Sequence, residues 1–166
     1  MNILRVIIDG IFMSAVFNLS AGLLVAINPV IFTTSYPKKL QEIAPKNPHA
    51  TKHQLLWMAL VVAPVDLFGI FSTYMQGIEG FWTLFLVGYI QWFIINLGDF
   101  FGLDLYLREK LGERWELPLT HGHPLYQRKE WMKNIALVEH WVMWPFIICP
   151  LAGFINAGVG MLLLLL

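Results

Sequence analysis

Apolar residues run almost unbroken through four stretches of this chain, at residues 5–28, 54–76, 81–103 and 134–160. About 20 such residues cross the roughly 30 Å of a bilayer's hydrocarbon, so each stretch predicts a transmembrane helix. The expected architecture is an all-α polytopic membrane protein: one membrane domain built as a four-transmembrane-helix bundle. The first span should stop at Asn28 and Pro29, because proline cannot continue a helix and restricts the residue before it. Thr51 and Gln54 have the spacing of a capping box and predict the start of the second span. Residues 76–80 leave so little chain that spans two and three must form an antiparallel hairpin. The fourth apolar run continues to Leu166, which predicts tilt or kinks at Pro145 and Pro150. A cleavable signal peptide is the competing reading of residues 1–30. Asp9 interrupts its apolar region and Arg5 alone precedes it, which favours a retained helix.

Four spans place the loops at 34–53 and 105–133 on one side, with both termini and the hairpin turn on the other. Lys38, Lys39, Lys46 and Lys52 lie in the first long loop, and Arg108, Lys110, Arg114, Arg128, Lys129 and Lys133 lie in the second. Only Arg5 remains for the opposite side. By the positive-inside rule both long loops are expected in the cytoplasm and both termini outside. Leu103, Leu107, Leu111 and Trp115 recur every four residues, a stripe that should extend span three along the membrane surface or pack it on the first loop. Trp57, Trp82, Tyr126 and Trp131 read as interfacial aromatics.

Composition supports this reading, with 57% hydrophobic and 13% charged residues in 166, against about 25% charged in soluble domains. The 11 basic and 11 acidic residues balance, so no overall basic surface points to nucleic acid. A single cysteine, Cys149, excludes an internal disulfide framework. The zero balance conceals a sorting by depth: the long loops are net positive, and the compensating carboxylates Asp9, Asp66, Asp99, Asp104 and Glu139 lie in or beside the spans. Ionisable groups there cost about 2.5–3.5 kcal/mol each at the centre of the bilayer and tend to face protein or water.

Asp9 has Arg5 one turn away and Asp104 has Arg108, so each has a local ion-pair partner. Asp66, Asp99 and Glu139 have none. Depth along the helices puts Asp66 near mid-membrane with Asn18 and Gln91, a predicted polar layer whose bland role is helix packing. It puts Asp99, Asn96, Glu139 and His140 within about 10 Å of the cytoplasmic edge, under the loop that carries His121 and His123. That second layer is the expected functional location. Asp99 and Glu139 are candidate ligands or general bases and His140 a candidate acid or base. Asn96, Asp104 and Asp66 are candidate ligand-binding groups. Asp99, Asp104, His121, His123, Glu139 and His140 are also oxygen and imidazole groups of the kinds that hold a divalent metal ion, the one cofactor these residues suggest.

Two resemblances accompany these readings. Leu97, Gly98, Asp99 and Phe100, with Val65, Asp66 and Leu67 before them, resemble a fragment of the two-aspartate arrangement of presenilin-type intramembrane aspartyl proteases. That resemblance implies a carboxylate pair sharing a proton. Residue 96 is Asn where that motif has its first glycine. A second resemblance covers most of the chain: Asn28 and Pro29, then Tyr36 through Gln41, then Asn96 through Asp104, then Pro118 to His121. It is similar to a family of small bacterial four-span integral membrane proteins of uncharacterised function. The family pattern has an Asp-x4-Asp element, matched by Asp99 and Asp104, and a Pro-Gly-Thr-Glu-like loop. Here Leu119 and His121 replace the glycine and the acidic residue. The resemblance implies a bacterial plasma membrane location and no reaction.

The functional expectation is therefore a cytoplasm-facing buried carboxylate and histidine site that binds a metal ion or a small polar ligand. The alternative is a non-enzymatic scaffold, an accessory subunit or a small proton- or cation-coupled transporter. The expected partners are the lipid bilayer and anionic headgroups at the basic loops.

Overall fold

The computed structural model describes residues 2–165 and contains no strand among them. Four helices are long and apolar enough to cross a membrane: α1 (Ile3–Ile27), α3 (Ala50–Met75), α4 (Phe81–Arg114) and α5 (Arg128–Leu163). A short α2 (Lys38–Ile43) lies in the first long connection. The chain is thus an all-α four-helix bundle.

Local chemistry sets the ends of these helices. Asn2 caps α1 by accepting from the Arg5 backbone N–H at 3.3 Å. At the other end Asn28 leaves helical geometry, with φ at −157°, and its side chain accepts from Val30 N–H at 3.2 Å ahead of a 3₁₀ turn, Pro29–Ser35. The capping box expected at Thr51 does not form. Helix α3 begins two residues earlier, with His49 at its N-cap position and no side-chain cap, and Gln54 donates instead to Thr34 Oγ1 at 3.0 Å. The turn from α3 to α4 requires two left-handed residues, and Gly77 (φ 63°) and Gly80 (φ 86°) supply them.

The expected length of the last helix is realised: α5 has 36 residues, about 54 Å. Pro145 sits inside it without breaking it, because Glu139–Ile148 is wound as wider i→i+5 π turns. That winding tolerates the missing proline N–H. Further π turns occupy Met58–Val62 in α3, Asp99–Leu107 in α4 and Met132–Ala136 in α5.

Small residues let the helices approach. A Cβ on Gly98 of α4 would collide with Ser14 Oγ and lie 2.6 Å from Asn18 Nδ2 on α1. Gly88 of α4 faces Asn156 of α5 in the same way, at 2.6 Å from its Cβ. This is the packing that membrane helices favour where burial alone gives no drive to associate. The apolar interior forms three successive layers. Val6, Ile78, Leu84, Val87 and Ala157 fill the end near the hairpin turn. Met13, Phe17, Val65, Trp92, Ile95 and Trp144 fill the middle. Tyr36, Leu40, Leu103, Trp115, Leu117 and Trp131 are among those that fill the end near the long loops. The Leu103 to Trp115 stripe therefore packs on the first loop, one of its two expected positions.

Candidate ligand-binding site

Between the middle and loop-end layers lies a cavity of about 230 Å³ whose polar lining includes Asp99 and Asp104 of α4 and Glu139 and His140 of α5. All four residues fall in π turns. In an ordinary α-helix, residues five apart diverge by about 140° around the axis. The i→i+5 winding of Asp99–Leu107 widens the turn and brings Asp99 and Asp104 to the same cavity.

His140 is the most constrained of the four, only 1% exposed and engaged at both ring nitrogens. Its Nδ1 lies 2.7 Å from Asn96 Oδ1, and Nε2 lies 2.9 Å from Asp104 Oδ2. Asn96 Nδ2 in turn donates to the His140 backbone carbonyl at 3.0 Å. With its amide nitrogen so committed, Asn96 presents its oxygen to the ring, so Nδ1 carries a proton and donates. Nε2 and Asp104 then share one further proton, as imidazolium and carboxylate or as imidazole and carboxylic acid. The other Asp104 oxygen accepts from Trp131 Nε1–H at 3.1 Å.

This geometry changes two expected roles. Asp104 does not pair with the Arg108 side chain one turn on. Arg108 Nε donates to the Asp104 backbone carbonyl at 3.0 Å, Nη1 donates to the Tyr126 carbonyl at 2.8 Å, and the guanidinium lies 5.5 Å from the centre of the Trp131 ring. Arg108 therefore clamps the second loop onto α4 and leaves the Asp104 carboxyl to His140. His140, with both nitrogens occupied, positions Asp104 and has no free nitrogen for an incoming ligand. Asp99 makes no side-chain hydrogen bond among the described residues, and with Glu139 it is the carboxyl left to face the cavity.

The second loop roofs this site without contributing its histidines. His121 Nδ1 lies 3.6 Å from Glu116 Oε2, and His123 Nδ1 accepts from Leu125 N–H at 3.2 Å; neither lines the cavity. Among the described residues no three His, Cys, Asp or Glu side chains come together so as to hold a metal ion. The expected six-residue metal set is therefore not assembled: two members stay in the loop, and the imidazole of a third is saturated.

The roof is tied down by two tyrosines. Tyr36, which lines the cavity, donates to the Trp115 carbonyl at 2.6 Å. Burial, reinforced by the charges of Tyr126, Asp104 and Glu116, holds its phenol well above the usual tyrosine range, so it remains a donor. Tyr126 OH accepts from Leu117 N–H at 2.9 Å and meets Thr120 Oγ1 at 2.8 Å. Burial raises its pKa as well. Trp131 and Tyr126, expected as membrane anchors, are thus buried members of the site and its roof.

The mid-membrane layer does not converge. Asp66 accepts from Trp92 Nε1–H at 2.8 Å, and Asn18 donates to Ser14 Oγ at 3.0 Å and to the Ile95 carbonyl at 3.2 Å. Asp66 lines a groove between α3 and α5, whereas Asp99 lines the cavity. The two are not brought together as a proton-sharing pair would require. Asp9 forms the expected pair with Arg5 at 3.0 Å, and it also accepts from Ser72 Oγ at 2.5 Å, which ties α1 to α3.

Comparison with known protein families, with curated proteins and with solved structures gives no match.

Proposed function

We propose that the chain is an integral membrane protein of a bacterial plasma membrane that binds a small polar ligand in this cavity, with the long loops in the cytoplasm and both termini outside. In this reading Asp99 and Glu139 contact the ligand, while Asn96 and His140 fix Asp104 beside it. The observation that carries it is the cavity of about 230 Å³ with three carboxyl groups on its wall, one of them oriented by a buried amide–imidazole chain. For scale, an apolar cavity of about 150 Å³ holds a benzene molecule.

A reachable ligand site is tested by treating the purified protein with a hydrophobic carbodiimide and mapping the modified carboxyls by peptide mass spectrometry. Asp99 or Glu139 is modified if the cavity is open to small molecules, and Asp104 is spared. Absence of modification at both positions rejects the reading. The scaffold alternative draws on the Asn96–His140 link, which joins α4 to α5 without needing a ligand. It predicts that Asp99→Asn and Glu139→Gln change helix association while both carboxyls stay unreactive.

Orientation has its own test, because Cys149 is buried and silent towards labelling. On intact cells a membrane-impermeant maleimide should label Glu79→Cys and leave His121→Cys untouched. The reverse pattern would invert the topology.

A further inference from the structure

We propose that the ligand of this cavity is a membrane lipid with an ammonium headgroup, held with its head among the carboxyls and one acyl chain in the groove between α3 and α5. The inference rests on the ligand-binding reading above and identifies the class of ligand.

The wall chemistry calls for a cation. Asp99 and Glu139 face the cavity beside the paired Asp104 and His140, and no lysine or arginine lines it. Arg108, a buried cation on α4, does not line the cavity; its Nε and Nη1 go to the Asp104 and Tyr126 carbonyls and its guanidinium lies over the Trp131 ring. The rest of the wall is largely aromatic, with Phe17, Phe32, Trp57, Trp115 and Trp144 among its members. Aromatic faces attract ammonium groups, more strongly where water is excluded.

A second, independent observation is a buried donor without an acceptor on the same wall. Trp115 is only 6% exposed and lines the cavity, yet its indole N–H has no acceptor among the described residues. A buried donor left without a partner costs about 1–3 kcal/mol. A headgroup that carries a phosphodiester oxygen beside its ammonium group supplies the missing acceptor.

The route and the tail come from the groove. Phe17, Trp57, Glu139 and Trp144 line both hollows, so the cavity and the groove share a wall. The groove, about 680 Å³, is otherwise apolar apart from Asp66, whose carboxyl is taken by Trp92, and includes Met58, Val62, Met143 and Leu151. From Leu55 to Asp66 on α3 it extends about 16 Å, close to half of the roughly 30 Å hydrocarbon core. Along α5 it runs from Glu139 to Ile155, about 24 Å, so the groove is long and apolar enough to take an acyl chain.

The test uses the full-length protein in detergent, with native mass spectrometry of lipid adducts. Phosphatidylethanolamine should be retained at least tenfold over phosphatidylglycerol of the same chains. Glu139→Gln and Asp99→Asn should each lose that preference. Ala59→Trp fills the groove from a lipid-facing position and leaves every carboxyl in the sequence, and it should lower phosphatidylethanolamine retention at least tenfold. Equal retention of the two lipids overturns the inference. So does displacement of the adduct by free ethanolamine at equal concentration, or unchanged retention in Ala59→Trp. Carbodiimide labelling of Asp99 or Glu139 alongside any of these results would keep the ligand site and reject only the lipid.

Discussion

Asp104 on α4 and His140 on α5 meet at 2.9 Å in the interior of the bundle, 36 residues apart in the chain. Each is completed by a further buried partner, Trp131 for the carboxyl and Asn96 for the ring. Removing one member leaves the others without that partner, and a buried polar group left unpaired costs about 1–3 kcal/mol. Asp104→Leu and His140→Leu should each destabilise the folded protein by that amount in detergent unfolding. The double variant should cost less than the sum by about 1 kcal/mol, because the second change removes a group already orphaned. Strict additivity would show that the two side chains are not energetically linked.

How this pair arises explains which parts of the site are legible in the sequence. The four long helices follow from uninterrupted apolar runs, and the Arg5–Asp9 pair follows from its one-turn spacing. The stripe from Leu103 to Trp115 marks an apolar face by its period of four but leaves its partner open between the membrane surface and the first loop, and the structure places it on the first loop. The partner of Asp104 does not follow from its spacing. By spacing it should be Arg108, but the guanidinium reaches the Tyr126 carbonyl across the loop, a contact that no local pattern encodes. Trp131 at a membrane border has the composition of a lipid anchor, and only the fold of the second loop turns it inward. The Asp99–Asp104 spacing of five places the two on different faces of an α-helix, and only the π winding unites them. His121 and His123 look like ligands because loop histidines are chemically competent; the loop that carries them is held by Tyr36, Tyr126 and Arg108 in a path that leaves both outside the cavity.

Leu119 is the only non-glycine residue with positive φ among those described, at 68°. It stands where the resembled family pattern has glycine. A left-handed conformation costs an L-residue roughly 1–2 kcal/mol relative to glycine, and the Leu119 side chain is 75% exposed, so little packing offsets it. Leu119→Gly should therefore stabilise the second loop by about 1 kcal/mol, net of glycine's larger unfolded-state entropy. Slower proteolytic nicking of the 115–127 segment at unchanged helix content is the expected readout. Faster nicking would mean that the exposed leucine makes contacts outside this chain.

Tyr36 gives the loop-end layer an alkaline limit. Its folded-state pKa lies above the ordinary tyrosine value of about 10, chiefly through burial. The folded state therefore keeps its proton where the unfolded state loses it. The stabilisation is fully present below pH 10 or so and is lost as pH rises from there through the folded-state value, at up to about 1.4 kcal/mol per pH unit. Tyr36→Phe removes the hydrogen bond to the Trp115 carbonyl, at a cost of about 1 kcal/mol near neutrality. It also removes this titration. The stability gap between wild type and Tyr36→Phe should narrow from pH 9 to pH 11. A constant gap over that range would indicate that the phenol ionises equally in both states.

Gly98 and Gly102 lie one turn apart on α4 and separate close packing from simple helix propensity. At Gly98 a Cβ would collide with Ser14 Oγ and press on Asn18, whereas at Gly102 nothing lies within 4 Å. Alanine favours a helix over glycine by about 1 kcal/mol, so Gly102→Ala should raise stability slightly. Gly98→Ala gains the same propensity but must push α1 from α4 and break the Asn18 contacts with Ser14 Oγ and the Ile95 carbonyl. Overpacking of this kind costs about 1–3 kcal/mol, so the net effect should be a loss. Because Gly98 immediately precedes Asp99, a shift of α4 would also displace the carboxyl that faces the cavity. Gly98→Ala should thus lower both the unfolding temperature and carbodiimide modification of Asp99, while Gly102→Ala lowers neither. If the two variants behave alike, the close approach of α1 and α4 at Gly98 does not position the site.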